Sequence, residues 1–443
     1  MLFRIFRLIV ILSLCFPAFV VSQGYSLPKG EKYVKVNFEL INNLMVIPVN
    51  VNGAELSFVM DSGVSTPILF NLANQDSIEL RNVSEVTING LGEGDPISVL
   101  SSQGNFFKLG DIENPSQKLY VVMDAGINFS PYLGIPVHGI IGYDLFRDFV
   151  VDINYSSKTI KFYEPGNYTR KSNKKYQTFD IDVINKKVYL DASVSLDGER
   201  DVPVKMLLDT GSSDAIWLFE DERIKLPEKN YEDYLGKGLA GNIYGKRTKV
   251  HSIKIGDFSL KDAKAAFPDM LTFNAIKDLG NRNGSLGGEV LKRFNIVFDY
   301  PHGKISFKKN SNFKKPFHYN MSGIDLQHAG VRYVSERITN GNGVVYNNDR
   351  SYGDVQILLE GATRLSLVPE IVVSGIRAGS PAHFAGLQEG DVILAVNGKR
   401  IHRYKIQQIL EMLNNKEGKK VKVLVERSNS NLLFSLVLKD LFK

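Results

Sequence analysis

Apolar and polar positions along this chain alternate in short runs rather than recurring every three or four residues. That pattern predicts a protein built mainly of strands. Tyr33 to Leu40 alternates throughout, and Leu44 to Val51 is rich in apolar and β-branched residues. The two read as strands meeting at an Asn42-Asn43 turn. Asn52-Gly53 is a second hairpin signal, followed by an apolar run that ends at Asp61. Short strands broken by Gly, Asn and Asp follow, including INGLGEGD at Ile88 to Asp95. Val137 to Phe162 closes the segment with an apolar Ile-Ile-Gly, a helix-like DLFRDF and a hairpin through Asn154 to Lys158.

After a polar, basic stretch from Asn167 to Lys175, which reads as a linker, the plan begins again at Tyr176. The run MLLDTGSSDAIWL at Met206 to Leu218 answers LSFVMDSGVSTPIL at Leu56 to Leu69. In each, an apolar strand delivers one Asp into a Ser/Thr-Gly turn. Leu91 follows Asp61 by 30 residues, and Leu239 follows Asp209 by the same 30. The turns FKLGD and IKIGD end 50 and 48 residues after their Asp, and the apolar-Gly pairs at Gly142 and Gly288 fall 81 and 79 after it. One Asp-Ser/Thr-Gly triplet is weak, because Asp and Gly are common in turns. Two triplets with three later landmarks in step define an internal repeat.

A second basic stretch, Lys308 to Lys315, precedes a different module marked by GSPAHFAGLQEGDVILAVNGKRI, Gly379 to Ile401. Ser380-Pro381 starts a helical turn, Gly386 ends it, and Glu389-Gly390-Asp391 turns into an apolar strand. Asn397-Gly398 makes a hairpin, Tyr404 to Leu413 has helical periodicity, and Val421 to Leu438 supplies two last strands.

Composition narrows this picture only a little. The 443 residues are 43% hydrophobic and 23% charged, an ordinary globular balance. The formal charge of +6 is spread along the chain and does not indicate a nucleic-acid partner. The first 22 residues read as a signal peptide: Arg4 and Arg7 precede an apolar core at Leu8 to Phe16, and Val20 and Ser22 are small enough for cleavage. The single cysteine, Cys15, lies inside that segment behind Leu14, so no lipid anchor, disulfide or thiol chemistry is expected downstream. The expected location is therefore periplasmic or secreted. The seven histidines show no paired ligand spacing, so neither metal nor other cofactor is expected.

Two carboxylates held close together cannot both ionise, so one keeps a proton. The ionised one can take a proton from water while the other donates a hydrogen bond to a scissile carbonyl. Residues 31 to 309 resemble the aspartic protease superfamily in the two Asp triplets, in Ile140-Ile141-Gly142 and in Leu286-Gly287-Gly288. The short units resemble retropepsin-sized lobes fused in one chain. Residues 318 to 440 resemble a PDZ domain, and the whole is similar to bacterial exported aspartyl proteases with a C-terminal PDZ domain.

The resemblance implies a mainly β chain: a bilobal, β-barrel-like acid-protease fold followed by a PDZ β-sandwich with short helices. Its parts are a signal peptide at 1–22, lobe one at 31–165, lobe two at 176–309 and the PDZ domain at 318–440. It makes Asp61 and Asp209 the catalytic dyad, Ser62 and Thr210 an inter-lobe hydroxyl lock, and Gly63 and Gly211 the close backbone approach. Ser212 would donate its hydroxyl to Asp209, a donor that Val64 cannot supply to Asp61. Gly90, Leu91 and Gly92, with Gly238 and Leu239, fall where flap hairpins or ordinary hairpins would lie. In the PDZ region, Ser322, Gly323 and Ile324 would form a carboxylate loop and Leu326 the pairing strand, facing Tyr404 to Leu413. Glu336 to Ser351 would be an unusual insertion in such a domain. A PDZ fold that only packs is the alternative.

Three functions remain open: an endopeptidase acting on polypeptides, a non-catalytic peptide-binding scaffold, and a self-processing regulator. Trp217 reads as core or pocket wall. A monomer is expected, because two fused lobes remove the need for a dimer.

Overall fold

The opening alternation becomes the strand Tyr33–Asn37, with Val34 and Val36 buried and the residues between them exposed. The computed structural model describes residues 24–72, 77–124, 126–169, 174–273, 281–337 and 363–442. The expected signal peptide with Cys15, Arg170 and Lys171 of the first linker, and residues 338–351 of the expected insertion lie outside the described residues.

The internal repeat is a repeat of sheet topology. Among the described residues, the first eight-stranded sheet runs Glu39–Ile41, Leu44–Val51, Ala54–Met60, Gly139–Ile141, Ile68–Leu69, Ile112–Val121, Ile97–Leu109, Ser84–Ile88. The second runs Asp182–Ile184, Lys187–Ser195, Val202–Leu208, Gly284–Leu286, Ile216–Leu218, Phe258–Pro268, Gly241–Ile255, Asn230–Gly238. The two orders correspond strand for strand. Each sheet curls until its second and seventh strands pair, at Asn50↔Lys108 and at Val194↔Ile253. That closure gives both lobes their barrel-like form.

A third, six-stranded sheet takes strands from both lobes. Its order is Tyr33–Asn37, Thr159–Tyr163, Val150–Asn154, Phe294–Asp299, Lys304–Lys309, Gln177–Asp180. The lobes meet in it through antiparallel pairs such as Val151↔Phe298 and Ile153↔Ile296. The helix Tyr143–Asp148, read in the sequence as DLFRDF, buries Leu145 and Phe146. Phe146 stacks on Tyr300 at 5.2 Å and meets Phe298 edge-on at 5.1 Å, so first-lobe and second-lobe aromatics share one core. Aromatic pairs of this kind add about 0.5–1.5 kcal/mol each beyond the area they bury.

The described residues form two units: those up to 128 with those of 137–317, and 129–136 with those from 318 on. The two protease-like lobes are thus one unit. Residues 129–136, expected inside lobe one, group with the second unit. There Gln407 Nε2 donates to the Leu133 carbonyl at 3.2 Å, and Leu133 is buried. The second unit has its own core of Ile324, Leu326, Ile371, Val373, Ile393, Ile409 and others. Ser380 caps the helix Pro381–Ala385 by accepting from the His383 amide, and Gly386 ends it at a φ of 84°. Asp391 of the Glu-Gly-Asp turn is buried, accepting from Arg427 Nε at 2.6 Å and from the Gln388 amide at 2.9 Å.

Candidate active site

Both triplets sit at the end of a central strand that is held on one side by a parallel neighbour. Ala54–Met60 pairs with Gly139–Ile141, and the Asp61 amide donates to the Ile141 carbonyl at 2.8 Å. Val202–Leu208 pairs with Gly284–Leu286, and the Asp209 amide donates to Leu286 at 3.0 Å. The strand ends therefore fix where each Asp leaves its sheet. This register also corrects one landmark. Ile141 corresponds to Leu286, so the counterpart of Gly142 is Gly287 and not Gly288. The amides of Tyr143 and Gly288, donating to Val64 and Ser212, are the next matching pair.

The two turns face each other across the lobes. The Ser62 amide donates to Thr210 Oγ1 at 2.9 Å, and the Thr210 amide to Ser62 Oγ at 3.0 Å. Each hydroxyl then donates to the opposite strand, Ser62 Oγ to Leu208 O at 2.7 Å and Thr210 Oγ1 to Met60 O at 2.8 Å. Ser62 and Thr210 are both buried.

This brace brings the carboxylates together. Gly63 donates its amide to Asp61 Oδ1 at 2.6 Å, and Gly211 to Asp209 Oδ1 at 3.0 Å. A Cβ on Gly211 would lie 2.2 Å from Asp61 Cγ, and one on Gly63 would lie 3.7 Å from Asp209 Oδ1. Each glycine of one lobe thus packs against the carboxylate of the other, which no side chain at Gly211 would permit.

Electrostatics separate the pair. Burial, then the negative charge of Asp209, pushes Asp61 up to about 7, against the amides of Gly63 and Gly211 and the charge of Lys187. Burial also raises Asp209. There the opposing causes are, in order, the Arg282 charge, the Gly211 amide, Lys187 and the Ser212 amide. Ser212 acts through its backbone N–H and not through the hydroxyl expected from the sequence. The asymmetry of the dyad comes from Arg282 more than from the Val64/Ser212 difference. Asp209 has the Arg282 charge to favour its ionised form, and Asp61 does not.

The expected hairpin tips also meet. The Ala240 amide donates to Leu91 O at 2.9 Å, the Gly94 amide to Ala240 O at 2.7 Å, and the Gly92 amide to Thr272 O at 3.3 Å. A Cβ on Gly90 would fall 2.8 Å from that of Leu239, and one on Gly238 would fall 2.1 Å from Leu91 O. Leu91 and Trp217 pack on a small cluster of Leu235, Ile243 and Ala266.

Several residues here carried no signal in the sequence. Beyond the second triplet, Asp214 accepts from Arg247 Nη1 at 2.7 Å and from Trp217 Nε1 at 2.8 Å. Arg247 also pairs with Asp233 at 2.8 Å, and Lys264 bridges Glu289 at 2.9 Å and Asp214 at 3.4 Å. Asp214 is buried, yet Arg247 and Lys264 hold its carboxyl down at about 2. Lys187 and Arg282 are scattered in sequence, and only the fold aims their charge at the dyad.

In the second unit, Ser322 and Gly323 lie just before the strand Ile324–Arg337, which stands at the edge of its sheet and carries Ile324 and Leu326. The amides of Ser322 and Gly323 donate to Asn414 Oδ1 and Asn320 Oδ1, each at 2.9 Å, and that of Ile324 to Ser322 Oγ at 3.3 Å. Those donors are already engaged within the unit. Ile324 and Leu326 are core residues. Gly134 packs against His328 and Ile406, so residues 129–136 lie on the strand Ile324–Arg337 and the helix Ile406–Leu413.

Two barrel-like lobes, each handing one Asp-Ser/Thr-Gly turn to a common cleft, define the aspartic protease fold. Family comparisons agree: residues 47–145 and 192–290 match the aspartyl protease model, and residues 372–427 match the PDZ domain model. The chain is a two-lobed aspartyl protease-type protein with a C-terminal PDZ domain. A protein of Arabidopsis thaliana described as protease Do-like 14 is 27% identical over 146 residues, 32% of this chain. That match spans 27% of the plant protein's length. The crystal structure of aspartic proteinase from Irpex lacteus aligns over 64% of this chain and 99% of its own, at 14% identity and a TM-score of 0.41.

Proposed function

We propose that this chain is an aspartic endopeptidase whose Asp61/Asp209 dyad activates water against a peptide bond. The observation that carries the reading is the convergence of the two carboxylates at the braced turns, with Asp61 pushed up to about 7. Asp209, ionised, takes a proton from the attacking water. Asp61, protonated, donates to the scissile carbonyl oxygen and gives up its proton as the tetrahedral diol forms. Collapse of the diol returns a proton to the leaving amine, with no covalent intermediate. The joined tips at Leu91 and Ala240 act as two flaps, which part to admit a polypeptide and close over it. Export to a periplasm or the medium, and polypeptides as substrates, belong to the same proposal.

For the PDZ domain, the engaged amides of Ser322, Gly323 and Ile324 favour a packing role over capture of a free C-terminus. The test of the main reading is cleavage of a peptide library by the full chain, beside Asp61→Asn and Asp209→Asn. Loss of cleavage in both variants is expected. Cleavage that survives both substitutions would overturn the mechanism.

A further inference from the structure

Near the dyad lies a cation whose hydrogen-bonding groups the proposed chemistry does not use. Arg282 lies just before the strand Gly284–Leu286, which pairs with the strand that delivers Asp209. Its neighbour Asn283 is fixed from three sides. The Asn283 amide donates to Lys205 O at 2.8 Å, its Oδ1 accepts from the Lys205 amide at 2.9 Å, and its carbonyl accepts from the Phe219 amide at 2.8 Å. The Arg282 backbone is therefore held firmly. Its guanidinium sits 5.3 Å from the centre of the Phe219 ring and 5.9 Å from that of Phe273. Phe273 in turn meets Phe219 and Trp217 edge-on, at 5.0 and 6.4 Å. Thr272, next in the chain, accepts from the Gly92 amide, so the first flap tip lands beside this aromatic seat.

Among the described residues, Arg282 has no hydrogen bond or ion pair, and its Nε is buried without a partner. The other buried cations of this lobe are compensated. Arg247 has Asp214 and Asp233, Lys264 has Glu289, and Arg293 has the carbonyls of Glu289 and Asn312. The nearby carboxylate of Asp221 is occupied by Arg223, by the amides of Arg223 and Ile224, and by Asn283. The Asp209 charge favours this cation without hydrogen bonding it; an Nε–H kept out of water without an acceptor is costly, and the planar fork matches a carboxylate in two-point geometry.

We propose that Arg282, seated against the Phe219/Phe273 pair, is a specificity-determining subsite that binds a carboxylate of the peptide substrate, so that the protease selects acidic peptides. The proposal rests on the endopeptidase reading for its substrate, but not for its test. The two rings, 5.0 Å apart, lie on one side of the guanidinium and leave the rest of it for the ligand, and a bound carboxylate would complete what the chain leaves open. The carboxylate can come from an Asp or Glu side chain or from a peptide C-terminus.

The experiment uses the full chain carrying Asp61→Asn, in which the amide stands in for the protonated carboxyl and substrate is not consumed. Binding is read from the fluorescence of Trp217, the chain's only tryptophan. Peptides with amidated C-termini carry Glu or Gln at each position in turn, and a second set carries a free C-terminus. We expect about tenfold tighter binding for Glu at one position, or for the free terminus, as one charge-assisted contact supplies. Adding Arg282→Gln should remove the preference, and Arg282→Lys should retain part of it with the fold intact. Equal affinity for Glu and Gln peptides and for free and amidated termini, or a preference that persists in Arg282→Gln, would overturn the subsite. Kinetics of the unmutated enzyme on the same peptides separate the two readings. Cleavage without acidic preference defeats the subsite alone, whereas acidic binding without cleavage defeats the endopeptidase alone.

Discussion

Ser62 and Thr210 exchange amide-to-hydroxyl hydrogen bonds at 2.9 and 3.0 Å, so each lobe's triplet is completed by the other lobe. Thr210→Val keeps the shape but leaves the Ser62 amide and the Met60 carbonyl without partners in a buried place. Each orphaned group costs about 1–3 kcal/mol, so roughly 2–6 kcal/mol of stability should be lost. Urea unfolding of the full chain measures it. Because the same bonds set the carboxylate separation, kcat should fall further than KM rises. A variant with unchanged stability and activity would mean that the brace contributes nothing.

Activity should depend on a protonated Asp61 and an ionised Asp209. Asp61 is raised to about 7, chiefly by burial and then by Asp209. The rate should therefore hold through mildly acidic pH and fall as pH rises through about 7. A pH–rate profile of kcat/KM that peaks near pH 2 would contradict this. Stability gives an independent check. The folded state holds this proton more tightly than the unfolded chain between the ordinary value of 3.8 and about 7, so stability falls as pH rises across that window. Asp61→Asn removes the penalty. Its Tm should exceed that of the unmutated chain at pH 8 and match it near pH 4.

The two Asp turns, their spacing and the PDZ-like turn series were legible because each is a local pattern: an apolar strand, then residues suited to a tight turn. The repeat was legible for the same reason, down to Leu91 and Leu239, whose tips meet. What was not legible is what the fold assembles from distant segments. Gly287 rather than Gly288 matches Gly142, because strand register is set by pairing with Ala54–Met60 and Val202–Leu208 and not by residue count. Arg282 and Lys187 act on the dyad from far along the chain, and no spacing rule marks them. The Ser212 hydroxyl was a plausible donor from its position, but the backbone amide of the same residue does that work. Residues 129–136 were assigned by chain order to lobe one, while their apolar Leu133 is buried in the second unit.

The buried network behind the second turn should dominate the acid stability of the lobes. Asp214 has its carboxyl held at about 2: burial alone would raise it, but Arg247 and then Lys264 outweigh burial. A depressed carboxylate contributes stability that is present above its unfolded value of 3.8 and is lost as pH falls from there toward 2. Asp214→Asn should flatten that part of the stability curve. It should also cost about 3–5 kcal/mol at pH 7, because the charge facing Arg247 and Lys264 is gone. The Trp217 Nε1–H donates to Asp214, so tryptophan emission will report the change directly. A Tm at pH 7 within a degree of the unmutated chain would rule out this weight for the pair.

The PDZ domain should bind free C-terminal peptides poorly. A carboxylate loop needs amides that point at the ligand. Here the amides of Ser322 and Gly323 are taken by the side chains of Asn414 and Asn320. Gln407, on the helix that would face a ligand, is spent on the Leu133 carbonyl. Leu133→Asp should loosen residues 129–136 by placing a charge at a buried position, and Gln407→Ala should remove the hydrogen bond that holds them. Asn414→Ala should release the Ser322 amide. The double variant Leu133→Asp/Asn414→Ala is expected to bind a peptide with a free, apolar C-terminus at least about tenfold more tightly than the unmutated chain, and an amidated peptide no better. Isothermal calorimetry on the full chain distinguishes the outcomes. Micromolar binding of free C-termini by the unmutated protein, lost on amidation, would show that the loop opens readily and that the packing role is wrong.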